Sequence, residues 1–173
     1  MKRSAFTLIE LLVVISIIGL LSTVAVVATK SSGVNARNTQ RKANLVQVSK
    51  ALELYYTQNG GYPSTSGAWQ GNCTDYGGLP DTGAGGWIPG LAPTYMGTLP
   101  HDPNSGKVNP SSALAYCQTT GPGNCYLYRS DGIDYKLLAH CIPEGVLSAS
   151  DPLADISRWN YAYAIYTPGA RAW

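Results

Sequence analysis

The stretch that decides the fold is Phe6-Thr7-Leu8-Ile9-Glu10-Leu11-Leu12, which opens an apolar run that continues to Ala28. From Leu11 to Ala28, eighteen residues carry no charge. With residues 6–10 the run exceeds twenty residues, enough for a helix to cross about 30 Å of hydrocarbon. Glu10 is the exception, and a carboxylate at membrane depth is costly and usually functional. Residues 6–30 are therefore predicted to form a transmembrane helix.

The helix is predicted to continue beyond this run, over residues 31–59. Apolar residues recur there at steps of three and four, which place them in one stripe along a helix. They are Leu45, Val48, Leu52 and Tyr55. Asn59-Gly60-Gly61 followed by Pro63 is a helix-ending pattern. The whole helix would be roughly 80 Å long, and its second half would pack one stripe against a globular partner.

Residues 60–173 are predicted to form that partner, a single β domain. Residues 64–112 are rich in Gly, Pro, Ser and Thr and are expected to be loop. Strand patterns follow at Ala113–Cys117, Cys125–Arg129, Tyr135–Cys141 and Tyr161–Tyr166. The fold class is therefore α+β, one long N-terminal helix packed in its second half on a small antiparallel sheet.

Four cysteines lie beyond the apolar run: Cys73, Cys117, Cys125 and Cys141. An even number in an exported domain predicts two disulfides. If Cys117 and Cys125 close the hairpin between the first two strands, Cys73 pairs with Cys141, and the other two pairings stay open. Zinc is disfavoured because there is no C-x-x-C pair and neither His101 nor His140 has a recognised ligand spacing.

Charge is distributed unevenly along the chain. Five bases and no acid lie between residues 30 and 50, at Lys30, Arg37, Arg41, Lys42 and Lys50. From Ala51 onward, nine acids accompany five bases. This polarity could serve contacts between subunits, or the bases could form a solvated helix face.

Several of these features together resemble a known family. The leader with Lys2-Arg3, the small residue Ala5, the Phe-Thr-Leu-Ile-Glu-Leu segment and the apolar run are similar to the N-terminus of type IV prepilins and type II secretion pseudopilins. The sequence of residues 51–63 also resembles the segment that closes the long helix in those proteins. Two departures are Ala5, where most members have Gly, and the lack of a Pro near Val27.

The resemblance implies a pilin fold and a processed N-terminus. A membrane aspartyl peptidase would remove residues 1–5 by cutting between Ala5 and Phe6, and would methylate the new amine of Phe6. Glu10 would then pair with the Phe6 amine of a neighbouring subunit. Opposite charges about 4 Å apart attract by roughly 4 kcal/mol at an effective dielectric of 20, which is enough to set the register of a filament.

The implied function is a structural subunit, with a type IV pilus major pilin favoured and a type II secretion pseudopilin as the alternative. Its partners would be copies of itself, the prepilin peptidase and the pilus assembly machinery. Before assembly it would cross the inner membrane once with its N-terminus in the cytoplasm, and afterwards it would lie in an extracellular surface filament. A monomeric, membrane-anchored extracellular binding module is the alternative from another class.

No enzymatic activity, cofactor or nucleic-acid partner is predicted. Asp102, Asp131 and Asp134 are considered as calcium ligands because related major pseudopilins bind calcium, but their spacing does not follow the calcium-loop pattern and no metal is predicted. The sequence also ends in aromatic residues that are expected to fill a core or a subunit contact rather than bind sugars. These are Trp159, Tyr161, Tyr163, Tyr166 and Trp173.

Overall fold

A computed structural model describes residues 7–108, 114, 117–118, 124–141, 144, 147–158 and 161–173, without the side chains of residues 24–31. Its elements are helix α1 (Leu8–Asn59) and strands β1 (Gln70–Gly71), β2 (Cys125–Ser130), β3 (Tyr135–His140) and β4 (Ala162–Tyr166). Two short 3₁₀ turns lie at Thr74–Tyr76 and Pro168–Ala170. The chain divides into two compact units, Met1–Ala36 and Arg37–Trp173.

Helix α1 confirms the single long helix expected from the sequence. It has 52 residues and ends at Asn59, the last residue of the predicted helix. Gly60 follows with a φ of +73°, a left-handed conformation that Gly adopts at no steric cost. Its N–H donates to the carbonyl oxygen of Tyr56 at 2.8 Å, so the helix ends in the manner that the Asn-Gly-Gly pattern predicts.

The first unit presents an apolar surface. The large apolar side chains between Leu8 and Leu21 are each 46–82% exposed. Within the residues that the structure describes, no helix is both long enough and apolar enough to cross a membrane. The predicted leader 1–5, Phe6 and the side chains of residues 24–30 lie outside the described residues, so the membrane span over residues 6–30 stays a prediction.

The second unit contains a four-stranded antiparallel sheet in the order β1-β2-β3-β4. Three of the predicted strands are confirmed, with bounds shifted by one residue at most. Of the other predicted strand, Ala113–Cys117, most residues lie outside the described part of the chain, and Cys117 is helical.

The edge of β2 is occupied instead by Gln70–Gly71, from the segment that was expected to be loop. A Cβ at position 71 would lie 2.5 Å from Cδ2 of Leu127 and 2.7 Å from the Tyr126 carbonyl oxygen. Only glycine therefore permits this close pairing, and a two-residue strand leaves no periodic pattern to recognise.

The main core lies between the helix stripe and one face of the sheet. Strand alternation explains the arrangement, since Tyr126 and Tyr128 join this core while Leu127 between them joins a smaller cluster on the other face. Leu45, Val48 and Leu52 are 0–1% exposed, which confirms the predicted stripe. The loop adds further buried side chains to the same core: Trp87, Ile88, Leu91, Ala92 and Leu99.

Candidate functional site

The N-terminal end of α1 carries a reciprocal cap between Thr7 and Glu10. The backbone N–H and the hydroxyl of Thr7 both donate to Oε2 of Glu10, each at 2.8 Å. In return, the Glu10 N–H donates to the Thr7 hydroxyl oxygen at 3.3 Å. This is a capping box, in which the side chains at the start of a helix satisfy N–H groups that have no partner within the helix. The Thr-x-x-Glu spacing at residues 7–10 is the sequence signal for this cap.

The predicted processing residues cannot be placed next to this cap. Ala5 and Phe6 lie outside the described residues, so the cleavage and methylation predictions remain predictions. Glu10 is exposed, and the large apolar residues that follow it are exposed as well. The described part of the N-terminus therefore combines one capped carboxylate with an apolar helical surface.

A second cluster of charges lies inside the second unit, between its part of helix α1 and the rest of the domain. Arg41 is completely buried and its guanidinium forms two hydrogen bonds to the carboxylate of Asp102, from Nε at 2.6 Å and from Nη2 at 2.9 Å. The same Nη2 lies 2.9 Å from Oε1 of Glu144. Arg37 donates to both oxygens of Glu144, and the Asn104 side-chain amide donates to Oε1 at 2.6 Å. The cluster thus ties one helix face to two distant segments of the domain.

The hydrogen bonds in this cluster determine its protonation. Burial alone would raise the pKa of the Glu144 carboxyl, but hydrogen bonds from Arg37 and Arg41 outweigh it and hold that pKa below its usual value. Burial likewise favours loss of the Arg41 charge, yet the bonds to Asp102 and Glu144 raise the pKa of Arg41 above its usual value. Both groups are charged at neutral pH.

From the sequence, the bases between residues 30 and 50 have two predicted roles, a contact between subunits or a solvated helix face. The contacts within the domain change both interpretations. Arg37 and Arg41 are neutralised within their own domain, and Lys42 forms an ion pair with Asp151. Position 41 lies four residues before Leu45, on the same stripe. An arginine on the buried stripe requires a buried acid, and that spacing is the signal from which Arg41 could have been found. Lys50 remains exposed.

Among the described residues, the three calcium candidates do not form one cluster of carboxylates. Asp102 is occupied by Arg41, and Oδ1 of Asp131 accepts backbone N–H groups of Ile133 and Asp134 in a turn. Asp134 accepts the N–H of Gly169 at 3.2 Å. Within the described part of the chain, the side chains close enough together to share a metal ion are those of Cys117, His140 and Cys141.

All four cysteines form disulfides, as predicted, but the proposed pairing is wrong. Cys73 pairs with Cys125 at a Cα–Cα distance of 5.8 Å, and Cys117 pairs with Cys141 at 5.2 Å. The reason is the edge strand. Because β1 pairs with β2, Cys73, which follows β1, lies next to Cys125 at the start of β2. Cys117 then pairs with Cys141, which follows β3.

The aromatic tail is divided between packing and partial exposure. Tyr163 is buried in the main core, Tyr166 packs on the smaller cluster, and Trp173 is partly exposed beside the Arg129 guanidinium at 4.7 Å. Trp159 lies outside the described residues. Beneath the tail, Lys136 and Asp155 form a fully buried ion pair at 2.6 Å.

Residues 1–26 match the family model described as the prokaryotic N-terminal methylation motif. The type II secretion system core protein G of Pseudomonas aeruginosa is 31% identical over 159 residues, which cover 92% of this chain and 96% of that protein. No solved structure matches the chain.

The similarity to core protein G extends over both the N-terminal helix and the disulfide-bonded domain, and the fold is the α+β arrangement expected of pilins. Such proteins are structural rather than enzymatic. The chain therefore belongs to the family of pilin-like proteins with a prepilin-type N-terminus that includes the type II secretion major pseudopilin, core protein G.

Proposed function

We propose that this chain is the repeating subunit of a helical pseudopilus of a type II secretion system. A prepilin peptidase would remove residues 1–5, methylate Phe6 and leave the subunit anchored in the inner membrane until assembly. Copies of the same chain would then replace lipid around the apolar helix. The similarity to core protein G over 96% of that protein favours the pseudopilus over other pilin-type filaments.

The observation that carries the proposal is the exposed apolar surface of the first unit. Leu8 is 82% exposed, Leu20 is 70% exposed and Ile9 is 71% exposed. Burying apolar surface contributes roughly 25 cal/mol per Å², so a helix with this surface is stable only against lipid or other apolar helices. A filament core built from many copies of the helix provides that environment.

Glu10 would give this otherwise featureless surface a defined register. Its carboxylate is held by Thr7 in the capping box, and it would pair with the Phe6 amine of the next subunit after cleavage. A buried carboxylate without a partner is costly, so registers that leave Glu10 unpaired are disfavoured. Cleavage would act as the switch, because Phe6 has no free amine while residues 1–5 are attached.

The test compares Glu10→Gln with Glu53→Gln, a matched substitution at an exposed position later on the same helix. Each variant is expressed in a host strain that lacks the wild-type gene. Polymers are collected by ultracentrifugation from both the sheared surface material and the periplasm released by osmotic shock. Wild type and Glu53→Gln should yield polymers whose subunits begin at methylated Phe6 by mass spectrometry. Glu10→Gln should remain in the membrane fraction as a monomer, and normal polymers from this variant would refute the role of Glu10.

A surface type IV pilus is the second candidate, since the N-terminal methylation motif over residues 1–26 suits a pilin as well as a pseudopilin. The two disulfides suit any oxidising compartment and are compatible with either filament. The same deletion strain separates the two. Loss of the gene should cause exported enzymes to accumulate in the periplasm while surface pili persist. Loss of surface pili with normal enzyme secretion would instead support the pilus. A monomer that never pellets would contradict both and support the membrane-anchored binding module.

A further inference from the structure

Three potential metal ligands converge at the end of β3. One ligand atom each from Cys117, His140 and Cys141 lies within 4.8 Å of the other two. Nδ1 of His140 is 3.4 Å from Sγ of Cys141, and all three residues are buried. Two of the three donors are at present joined as a disulfide.

The fold positions these donors largely without the S–S bond. His140 is the last residue of β3 and is held by pairing with Cys125 in β2 and Ala162 in β4. Its ring packs edge-on against Tyr76 and Tyr161, with centroid distances of 5.8 and 5.9 Å. Cys141 follows directly on the chain. Strand pairing therefore holds His140 independently of the disulfide, and Cys141 is its neighbour along the chain.

We propose that Cys117, Cys141 and His140 form a binding site for a zinc-class divalent ion when their disulfide is reduced. Two thiolates and one imidazole are the donors that Zn²⁺ prefers, and sites with three protein ligands complete the tetrahedron with a water. The same residues would thus be cross-linked in two ways, by a disulfide in an oxidising compartment and by a metal ion in a reducing one.

The exchange balances with a dithiol as the reductant. The dithiol supplies two electrons and two protons, the S–S bond breaks into two thiols, and the dithiol closes to its own disulfide. A divalent ion then displaces the two thiol protons and accepts the lone pair of the imidazole nitrogen. Metal uptake should therefore release two protons per ion.

The cluster is independent of the filament proposal. It uses no residue assigned to cleavage, methylation or subunit contact, so each proposal can fail without the other. Cys125 is a rival ligand because it lies directly across from His140 in the β2–β3 register. The test is therefore made in a Cys73→Ser/Cys125→Ser background as well as in wild type.

The experiment uses the full chain in detergent, reduced with a trialkylphosphine that takes its oxygen from water and is then removed under nitrogen. Co²⁺ is added as a spectroscopic probe, followed by competing Zn²⁺. The reduced protein should bind one equivalent with thiolate-to-cobalt absorption, and the Cys73→Ser/Cys125→Ser variant should behave in the same way. The oxidised protein should show no such bands.

His140→Gln keeps both sulfurs and is expected to weaken Zn²⁺ binding at least about ten-fold. His101→Gln is the matched control, because His101 is exposed and contacts Asp81 rather than the cysteines, and it should bind like wild type. Near-ultraviolet circular dichroism of the oxidised variants checks that both are folded. The proposal is overturned if the reduced wild type shows no thiolate bands, if binding needs Cys125, or if His140→Gln binds as tightly as His101→Gln.

Discussion

Nε of Arg41 lies 2.6 Å from Oδ2 of Asp102, and the two side chains are only 0 and 1% exposed. This ion pair joins helix α1 to a loop 61 residues further along the chain. Such pairs contribute less to stability than their contact distance suggests, because both charges lose their hydration. Removing one partner of such a pair is strongly destabilising, since the remaining charge stays buried without a partner.

Replacing Arg41 with Met should therefore destabilise the domain by about 3–5 kcal/mol. The measurement is urea unfolding of the full chain in detergent, followed by tryptophan fluorescence, to which the buried Trp87 contributes. Lys50→Met is the control on the same helix, and its exposed position predicts a change within about 0.5 kcal/mol. Adding Asp102→Leu to Arg41→Met should recover part of the loss. Equal effects of Arg41→Met and Lys50→Met would show that the pair has no such role.

Acid should weaken the domain through Glu144. Its folded-state pKa lies below its usual value because of the bonds from Arg37 and Arg41, so the unfolded state binds a proton at higher pH than the folded state. The resulting stability is complete above the unfolded pKa of about 4.3 and is lost as pH falls through the lower folded pKa. Unfolding free energies measured from pH 6 to pH 3 should fall less steeply in Glu144→Gln than in wild type. Identical slopes in Glu144→Gln and wild type would contradict this role of Glu144.

The disulfide pairing can be tested by peptide mapping of the non-reduced protein. Trypsin leaves Cys117 and Cys125 on one peptide, because no Lys or Arg lies between them. Pepsin digestion at acid pH both separates them and suppresses thiol exchange. The fragment with Cys73 should be joined to Cys125, and that with Cys117 to Cys141. A Cys117–Cys125 link would restore the hairpin pairing.

Loss of the cap at the start of α1 should loosen the first helical turn. Thr7→Val removes the hydroxyl that donates to Glu10 and accepts from its N–H. An N-cap substitution costs about 1 kcal/mol, so amide exchange of the first turn in detergent should accelerate roughly five-fold. Thr57→Val is the control, because that hydroxyl donates only to the helix carbonyl of Glu53. Unchanged exchange at Glu10 in Thr7→Val would rule out the cap.

Most of the secondary structure could be predicted because it rests on local patterns. The apolar run and the stripe at Leu45, Val48 and Leu52 predict the helix, and Gly60 predicts its end. The three longer strands follow from tyrosine-containing apolar segments between turns. Gln70–Gly71 could not be found in this way, because a two-residue strand has no period and is defined by its partner.

The charged and sulfur contacts needed the folded chain. The spacing from Arg41 to Leu45 indicates that Arg41 lies on the buried stripe, but no local pattern identifies Asp102 or Glu144 as its partners. The same holds for the cysteines. Their even number predicts two disulfides, but their pairing follows from the β1–β2 register.

The N-terminal motif, the long helix and the family can thus be predicted from local sequence. Each depends on the spacing of residues that are neighbours along the chain. The ion-pair partners of Arg41, the disulfide pairing and the approach of Cys117 to His140 and Cys141 involve residues far apart in sequence. Their proximity depends on which strand pairs with which, and that is decided only when the sheet packs against the helix.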